Sequence, residues 1–417
     1  MGTFVVKGGG VLSGEVEVSG SKNAALPILA ATILAEDTCE LKNIPALRDI
    51  QTMYELLACI GCEIAEHKNS REFFIEKVKT TTAPTNLVGS MRASFLIMGP
   101  LLAKYGTAKI PLPGGCPIGT RPVDLHLKGF MALGAEVEIG HGFVKAKAEN
   151  GLIGKDIYLD FPSVGATENI MMAATLAKGE TVIENAATEP EIVDLAAFLK
   201  KMGAKISGAG TDTVKITGVN SLHGARHTII PDRIEAGTFM TAAAITGGEV
   251  NIKNVVPEHV KGISAKLKEM GVDVTENKDS ILVAGKKGIS PTDIKTMPYP
   301  GFPTDMQAQF TSLMSTIKGT SIVTETVFEN RFIYTPHLIR MGANIKLDGR
   351  TAVVEGGKKL KGASVNATDL RAGAALVLAG LAAQGETEVA DIEHIERGYV
   401  NFEKKLQKLG ANIEKME

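Results

Sequence analysis

The sequence repeats one short pattern six times. Each copy is a helix-like segment with an apolar residue four positions before a glycine, a bulky apolar residue just before it and a β-branched residue three positions after it. The copies are centred on Gly61, Gly134, Gly203, Gly271, Gly342 and Gly410. They lie 73, 69, 68, 71 and 68 residues apart, so six units account for nearly all of the 417 positions. The chain is therefore predicted to fold as six similar supersecondary units.

A second apolar, helix-like segment precedes each glycine pattern and ends in a turn that leads into a short strand. These segments are 24–34, 94–104, 168–177, 235–245, 305–317 and 370–383. Each unit is therefore predicted to contain a strand, a helix, a strand, a helix and two further strands. This βαβαββ order predicts an α/β fold in which three units form each of two domains.

The ends of the chain do not follow the repeat. The sixth copy stops at Glu417 without its two final strands, whereas the chain begins with two strand-like segments that have no helices before them. Residues 4–9 match residues 352–357, which close the fifth unit. We therefore expect the sixth unit to be split between the termini. The predicted domains are 22–230, which contains Cys116, and 1–21 together with 231–417.

Composition excludes several classes of function. A net charge of −2 gives no field that would attract nucleic acid or an anionic membrane, and the longest apolar stretches are too short to span a bilayer. The N-terminus has no basic region followed by an apolar one, and four cysteines do not make a disulfide framework, so we expect a cytoplasmic protein. No metal-ligand spacing or phosphate-binding loop is present in the sequence, so no metal or other cofactor is predicted.

The start of the first helix differs in character between units. The equivalent residues there are Asn23, Arg92, Glu235, Gln307 and Arg371, and two positions earlier stand Ser21, Ser90, Arg233, Asp305 and Asp369. Helix starts present unpaired N–H groups and a positive dipole end, which suit phosphate groups. Alternatively, Ser21, Ser90, Asp305 and Asp369 are simply N-caps.

One connection is longer in the second unit than in the others. The spacing from turn to glycine is 28 residues there and 23 to 25 elsewhere, and the extra residues fall in a Gly- and Pro-rich loop at 112–122. Cys116 lies in this loop, close to Arg121. An exposed thiol near a guanidinium group can act as a nucleophile or a proton donor, although an incidental loop cysteine is the alternative. Cys39, Cys59 and Cys62 are predicted to lie in the core.

Arginines recur at the start of the second helix. Arg48, Arg121 and Arg397 stand thirteen residues before the repeated glycine, and Arg331 stands eleven before it in the fifth unit. Guanidinium groups bind carboxylate and phosphate by forked hydrogen bonds. Together with Lys22 they predict a cationic site, although solvated surface arginines are the alternative.

Several segments resemble a known family. They are GSKNA (20–24), MRAS (91–94), PGGCPIGTRP (113–122), SVGAT (163–167), FPTDMQAQ (302–309) and ENRF (329–332). In order and spacing they resemble the UDP-N-acetylglucosamine 1-carboxyvinyltransferases of the 5-enolpyruvylshikimate-3-phosphate (EPSP) synthase superfamily. The resemblance implies an inside-out α/β barrel fold of six βαβαββ repeats. It also implies transfer of enolpyruvyl from phosphoenolpyruvate to the 3′-hydroxyl of UDP-N-acetylglucosamine, the first committed step of peptidoglycan synthesis.

The resemblance also implies roles for individual residues. Cys116 corresponds to the proton donor, which also forms a covalent adduct with phosphoenolpyruvate, and Asp305 corresponds to the proposed base. Lys22 and Arg397 complete the catalytic set. The phosphoenolpyruvate ligands correspond to Lys22, Arg121 and Arg397, with Asn23 beside them. The nucleotide-sugar contacts correspond to Arg92, Arg121, Pro122, Val123, Asp124, Leu125, Ser163, Val164, Gly165 and Val327. Supporting polar residues correspond to Arg331, Asp369 and Arg371.

Two other functions compete with this one. EPSP synthase shares the implied fold and the phosphoenolpyruvate donor, but its relatives do not use a loop cysteine. A repeat-built scaffold without catalysis would need neither the lengthened Cys116 loop nor cations at helix starts. One departure from the family falls at Phe161, near which some relatives carry a lysine that reaches the nucleotide. The diphosphate contact there is expected to be weaker or made by backbone alone.

Overall fold

The computed structural model describes residues 2–112, 118–119, 123–286 and 288–416. These residues form two compact units, which are called the first and the second unit from here on, whereas the six similar parts of the sequence are called repeats. The first unit contains 2–19, 118–119, 231–286 and 288–416, and the second contains 20–112 and 123–230. Within the described residues, no helix is both long enough and apolar enough to cross a membrane.

The described chain alternates short strands with helices of one to four turns. The strands are β1 (Thr3–Lys7), β2 (Ser13–Glu17), β3 (Cys39–Lys42), β4 (Glu63–Glu66), β5 (Ser70–Phe74), β6 (Thr107–Pro111), β7 (Glu136–Gly140), β8 (Phe143–Lys147), β9 (Asp156–Tyr158), β10 (Glu180–Glu184), β11 (Lys205–Ser207), β12 (Thr213–Thr217), β13 (Arg226–Thr228), β14 (Glu249–Lys253), β15 (Asp273–Glu276), β16 (Ser280–Ala284), β17 (Ile294–Lys295), β18 (Gly319–Thr324), β19 (Asn344–Asp348), β20 (Thr351–Gly356), β21 (Ser364–Asn366), β22 (Glu386–Ala390) and β23 (Asn412–Met416). The α-helices are α1 (Lys22–Ala31), α2 (Arg48–Ile60), α3 (Thr85–Ser90), α4 (Met98–Tyr105), α5 (Asp124–Ala132), α6 (Val164–Ala174), α7 (Pro190–Lys201), α8 (Arg233–Thr246), α9 (Lys261–Glu269), α10 (Gln307–Thr316), α11 (Thr335–Arg340), α12 (Leu370–Ala382) and α13 (Phe402–Lys408). Short 3₁₀ helices cover Thr32–Leu34, Arg92–Ile97, Pro257–Val260, Thr304–Met306 and Ile392–Arg397.

The second unit contains three sheets of one design. Two of them have the strand orders β9-β10-β12-β11 and β13-β3-β5-β4, with the first pair parallel and the other pairs antiparallel. The third has the order β6-β8-β7, and a parallel bridge between Thr82 and Lys109 stands where the others have their first strand. The two strands of each parallel pair are joined through a buried helix, except where the first strand comes from a distant segment.

The first unit repeats this design three more times. Its sheets have the orders β2-β14-β16-β15, β17-β18-β20-β19 and β21-β22-β1-β23. In each, the first pair is parallel and the remaining pairs are antiparallel. The predicted α/β architecture of six βαβαββ repeats is therefore confirmed.

The N-terminal strands divide between two sheets. β1 lies between β22 and β23, so that Phe4 faces Val389 on one side and Lys415 on the other. The prediction that the sixth copy lacks two strands is wrong, because β23 is its third strand and only the fourth comes from the N-terminus. β2 instead pairs in parallel with β14 and opens the fourth sheet, as β13 opens the sheet of β3. The match with residues 352–357 predicted the repeat that β1 completes, but nothing in the sequence pattern predicted that β2 joins the sheet of β14.

The six repeated glycines share one backbone conformation. Their φ angles lie between 90° and 113°, a region that is strained for residues with a side chain. Each of them follows the second helix of its repeat and precedes the strand that holds the β-branched residue. A left-handed residue ends a helix and redirects the chain, so glycine at this point is required by geometry in all six copies.

The first helices of the repeats form the core of each unit. α1, α4 and α6 pack together in the second unit, and α8, α10 and α12 in the first. Their residues are almost all buried, and many are alanines and glycines, which lets the helices approach closely. At Gly99 a Cβ atom would lie 2.3 Å from the Asn169 carbonyl oxygen, so no larger residue fits between α4 and α6.

Asparagine side chains tie the ends of three parallel strand pairs. Asn43, Asn185 and Asn254 follow the second strand of their repeats with φ between 55° and 57°. Their side-chain amides donate to the backbone carbonyl oxygen of the residue after the first strand, at 2.7–2.8 Å. In the sixth repeat Asp391 occupies this position, with φ of 59°, and accepts from Asn366 at 2.9 Å. Asparagine and aspartate tolerate this backbone conformation better than other residues with side chains do.

Truncation of Phe4 is predicted to destabilise the first unit. Phe4 is fully buried in β1, so Phe4→Ala should lower the free energy of unfolding by about 3–5 kcal/mol through lost burial and a cavity. Val5→Ala, on the less buried face of the same strand, is the matched control. Urea unfolding followed by circular dichroism measures both, and equal losses would contradict the position of β1 in this sheet.

Candidate active site

Lys22 is fixed at the start of a core helix. It is the first residue of α1, and Ser21 caps this helix by accepting a hydrogen bond from the Ala24 N–H at 3.3 Å. The Lys22 ammonium lies 3.2 Å from an Asp49 carboxylate oxygen, and both side chains are more than nine-tenths buried. Burial of a charge is costly unless a partner compensates it, so Asp49 holds the ammonium group in place. Asn23 follows, partly exposed, on the same helix.

Three segments of the second unit that contain predicted site residues meet at His126. They are the segment of Arg92, α5 and the start of α6. This residue belongs to α5, directly after Asp124 and Leu125, and a Cβ atom on Gly165 would lie 3.2 Å from its ring. Burial, together with the positive charge of Arg92, lowers the pKa of His126 to about 3. The ring is therefore neutral at physiological pH.

Asn169 connects this histidine to the core. Its amide nitrogen lies 3.1 Å from His126 Nδ1 and donates to the Phe95 carbonyl at 3.0 Å, while its oxygen accepts from the Gly99 N–H at 2.8 Å. Phe95 belongs to the 3₁₀ helix that begins with Arg92. Asn169 therefore joins the Arg92 helix, α4, α5 and α6 in one buried network.

Ser163, Val164 and Gly165 form the start of α6. Ser163 is the N-cap and accepts from the Ala166 N–H at 3.4 Å, and Val164 and Gly165 are the first helical residues. Unpaired N–H groups at such a start can bind an anion. Just before it, Asp160 pairs with Lys128 at 2.7 Å, and Phe161 is 43% exposed.

Asp305 lies between two buried arginines of the first unit. Its carboxylate oxygens are 3.2 Å from Arg331 Nη2 and 3.1 Å from Arg371 Nε, and the arginine side chains are 3% and 2% exposed. The Asp305 side chain is 28% exposed. The two guanidinium groups stabilise the ionised carboxylate and fix its orientation, while one side stays accessible.

The two aspartates predicted as possible N-caps have different roles. Asp369 caps α12 by accepting from the N–H groups of Arg371 and Ala372 at 2.9 and 3.1 Å. Asp305 makes no cap, because it lies inside the 3₁₀ helix Thr304–Met306 and pairs with arginines instead. Simple capping therefore explains Ser21 and Asp369 but not Asp305.

Val327 and Arg397 lie on other segments of the first unit. The Val327 N–H donates to the Glu325 carboxylate at 2.7 Å. Arg397 ends the 3₁₀ helix Ile392–Arg397, and nearby Tyr399 is buried, with its hydroxyl 2.9 Å from that of Thr238. The Arg371 guanidinium lies 5.2 Å from the centre of the Tyr399 ring. Tyr399 therefore links the segment that carries Arg397 to Arg371.

Cys116, Arg121 and Pro122 lie outside the described residues. Of the loop that contains them, Ile118 and Gly119 are described. The Asn330 N–H donates to the Ile118 carbonyl at 2.9 Å. Gly119 has a φ of 147°, and a Cβ atom there would clash with the Glu329 carboxylate at 2.2 Å. Val123 precedes α5.

The other cysteines divide into two kinds. Cys39 and Cys62 are buried as predicted, and burial raises the pKa of Cys39 to about 11 and that of Cys62 to about 12. Both are therefore unreactive thiols at neutral pH. Cys59 is exposed on α2, so its predicted core position is wrong. Among the described residues, no cluster of histidine, cysteine and carboxylate side chains could hold a metal ion.

Comparison with known proteins decides the family. The family model described as EPSP synthase (3-phosphoshikimate 1-carboxyvinyltransferase) matches residues 6–406. UDP-N-acetylglucosamine 1-carboxyvinyltransferase 1 of Caldanaerobacter subterraneus subsp. tengcongensis is 60% identical over 410 residues, 98% of each chain. The chain belongs to the UDP-N-acetylglucosamine 1-carboxyvinyltransferase family. A second family member, UDP-N-acetylglucosamine 1-carboxyvinyltransferase 2 of Carboxydothermus hydrogenoformans, is 57% identical and matches along the full length of both chains.

Solved structures of enolpyruvyl transferases share the fold. The enolpyruvyl transferase NikO from Streptomyces tendae is 25% identical with a TM-score of 0.90, and covers 100% of this chain and 99% of its own. EPSP synthase from Acinetobacter baumannii is 19% identical with a TM-score of 0.79 over the full length of both chains, which is similarity of fold alone. This member of the UDP-N-acetylglucosamine 1-carboxyvinyltransferase family is thus an enzyme of the transferase class, as the sequence predicted.

Several polar residues of this family member were missed by the sequence reasoning. Asp49, His126 and Glu325 each contact or adjoin a predicted site residue, and Asn169 contacts His126. Asp49 directly follows Arg48 at a helix start, which is the one signal that could have identified it. The others lie in apolar or ordinary sequence surroundings, where the pattern gives no sign that a distant polar partner exists.

Removal of His126 should change how stability depends on pH. The native ring has a pKa of about 3 against an ordinary value of 6.5, so the unfolded chain binds one more proton between these values. The free energy of unfolding should therefore fall, as the pH drops below 6.5, by up to about 1.4 kcal/mol per pH unit. His126→Gln should remove that part of the decline.

Urea unfolding from pH 7 down to pH 4 measures the difference in slope. His141→Gln is the control, because His141 is exposed. The same pH slope in His126→Gln and wild type would mean that His126 already protonates normally in the folded protein.

Proposed function

We propose that this chain transfers the enolpyruvyl group of phosphoenolpyruvate to the 3′-hydroxyl of UDP-N-acetylglucosamine and releases phosphate. The observation that carries the proposal is the 60% identity, over 98% of both chains, with an enzyme named for this reaction. The arginine-held Asp305 carboxylate and the buried Lys22 ammonium are the kinds of group that such a reaction needs.

The first step joins the sugar oxygen to C2 of phosphoenolpyruvate while a proton adds to C3. Asp305 accepts the hydroxyl proton. Its two arginine partners hold the carboxylate in one orientation, so its contribution comes from position. Arg331, Arg371 and the helix cap Asp369 thus support the base without touching the reacting atoms.

Cys116 donates the proton to C3, and its thiolate can also form a covalent adduct with the donor. In the second step phosphate leaves C2 as C3 loses a proton, which restores the enol double bond. Lys22, Arg121 and Arg397 balance the phosphate and carboxylate charges of phosphoenolpyruvate, with Asn23 beside them. The pairing of Lys22 with Asp49 supports this assignment, because it holds the ammonium in one position.

The nucleotide sugar binds through side chains and backbone of several segments. We assign this role to Arg92, Arg121, Pro122, Val123, Asp124, Leu125, Ser163, Val164, Gly165 and Val327. The contacts around the neutral His126 support it, because they join the Arg92, α5 and α6 segments. The start of α6 offers N–H groups to the diphosphate, and Phe161 supplies no cation there.

The reaction is the first committed step of peptidoglycan synthesis, so the protein supports cell-wall growth, cell shape and division. It needs no cofactor, and its partners are the two small-molecule substrates. A cytoplasmic location follows from its cysteine content and remains a prediction.

Phosphate release distinguishes the rival functions. The protein is mixed with phosphoenolpyruvate and either UDP-N-acetylglucosamine or shikimate-3-phosphate, and free phosphate is measured over time. We expect phosphate release when the acceptor is UDP-N-acetylglucosamine and none when it is shikimate-3-phosphate. Release with shikimate-3-phosphate would identify an EPSP synthase, and no release with either acceptor would favour a scaffold.

Substitution of Cys116 should abolish turnover without loss of the fold. Cys116→Ser removes an acid of suitable pKa, and a fall in kcat of at least about 100-fold is expected for a lost general acid. Cys116→Asp should retain part of the activity, because a carboxylic acid can also donate a proton. Cys59→Ser is the matched control, since Cys59 is exposed on α2.

The epoxide antibiotic fosfomycin tests the same thiol independently. It should alkylate Cys116 alone, as peptide mass spectrometry would detect. Wild-type activity in Cys116→Ser, or an unmodified Cys116 beside an alkylated Cys59, would refute the assigned role.

A further inference from the structure

One repeat position departs from its equivalents in the fifth repeat. After the second strand, the first, third and fourth repeats have Asn43, Asn185 and Asn254, each of which ties the parallel strand pair together. The fifth repeat has Glu325 there, directly after β18. Thr326 also ties its strand pair, because the Thr326 N–H donates to Thr296 Oγ1 at 2.9 Å. The Glu325 carboxylate accepts from the same Thr296 hydroxyl, so it shares the task of its equivalents, and it also accepts from three further donors.

The Glu325 carboxylate collects four hydrogen bonds inside the first unit. The residue is only 1% exposed. One oxygen accepts from the Thr296 hydroxyl at 2.8 Å and from the N–H groups of Val327 and Phe328 at 2.7 and 3.2 Å. The other accepts from the Thr304 hydroxyl at 2.9 Å. The four donors are hydroxyl and backbone N–H groups, so the carboxylate acts as a rigid acceptor that joins separate segments.

Two of these segments carry residues assigned to the reaction. Thr304 opens the 3₁₀ helix that contains Asp305, and Val327 is itself a proposed nucleotide-sugar contact. Thr304 and Glu325 are 21 residues apart in sequence, so their hydrogen bond joins two separate segments. The arginines Arg331 and Arg371 fix the direction of the Asp305 carboxylate, whereas Glu325 fixes the backbone on which Asp305 sits.

We propose that Glu325 is a positioning residue, which sets Asp305 relative to the Val327 segment through the Thr304 hydroxyl. The inference rests on the proposed function. A general base must lie within hydrogen-bond reach of the proton that it accepts, and a displacement of about 1 Å can cost about 100-fold in rate. A shift of the Thr304 segment would therefore lower kcat while leaving most substrate contacts intact.

Substitutions at both ends of the Glu325–Thr304 hydrogen bond test the proposal. Glu325→Gln preserves volume but replaces one acceptor oxygen by a donor. Thr304→Val preserves shape and removes the hydroxyl, whereas Thr304→Ser keeps it. We expect Glu325→Gln and Thr304→Val to lower kcat by about 10- to 100-fold with KM for both substrates changed by less than about threefold. Thr304→Ser should restore kcat to within about threefold of wild type.

The double variant separates positioning from general destabilisation. If Glu325 acts through Thr304, Glu325→Gln combined with Thr304→Val should be no slower than the slower single variant. Asn254→Ala is the matched control, because Asn254 is the equivalent residue of the fourth repeat and makes one hydrogen bond, to Val18. It should lose stability, measured by urea unfolding, while kcat stays within about twofold of wild type.

A readout independent of activity completes the test. Amide hydrogen exchange of peptides covering 303–309 and 326–329 should be faster in Glu325→Gln than in wild type, because the carboxylate holds both segments. Wild-type protein that releases no phosphate refutes the proposed function, and the exchange data still test Glu325. Unchanged exchange, an additive double variant, or a kcat loss no larger than that of Asn254→Ala would overturn the positioning role.

Discussion

Burial of the first helix of each repeat is the constraint on which the rest of the structure depends. These helices are buried on nearly every side, so a single βαβαββ repeat cannot cover its own helix. Three repeats solve the problem together, because α8, α10 and α12 cover one another in one unit and α1, α4 and α6 do so in the other. The sheets then cover the outer sides of these helices. Lys22, Ser163 and Asp305 stand at the starts of three of these core helices.

The parts of the fold that the sequence predicts are those governed by local geometry. Helix and strand periodicity and the positive-φ glycines depend on neighbouring residues, so the six repeats can be counted from the amino-acid sequence alone. The match between residues 4–9 and 352–357 predicted that β1 completes the sixth repeat. The neighbour of β2 could not be assigned, because pairing between residues such as Ser13 and Glu249 leaves no mark on local sequence. The two strands have similar patterns, yet they enter different sheets.

The residues of the candidate site also fall into those that the sequence predicts and those that only the structure shows. Lys22 and Asp305 stood out because they depart from the repeat, and the family resemblance added roles for them. Asp49, His126 and Glu325 did not stand out, because their importance comes from a partner that only the folded chain brings near. A buried histidine and a buried glutamate look like any other residue of their segment until their hydrogen bonds are known. Sequence reasoning thus proposed candidate substrate contacts but not the residues that hold them in place.

The position of β1 has a consequence for synthesis on the ribosome. Residues 20–112 and 123–230 form a compact unit whose last residue is 230, so this unit can fold before the rest of the chain is made. β1 is made first, but its partners β22 and β23 are made last, at residues 386–390 and 412–416. Phe4 and Val6 therefore stay uncovered while almost the whole protein is translated. β1 is thus translated before its partner strands and pairs only after them. A nascent-chain chaperone that shields exposed apolar segments would therefore be expected to bind β1.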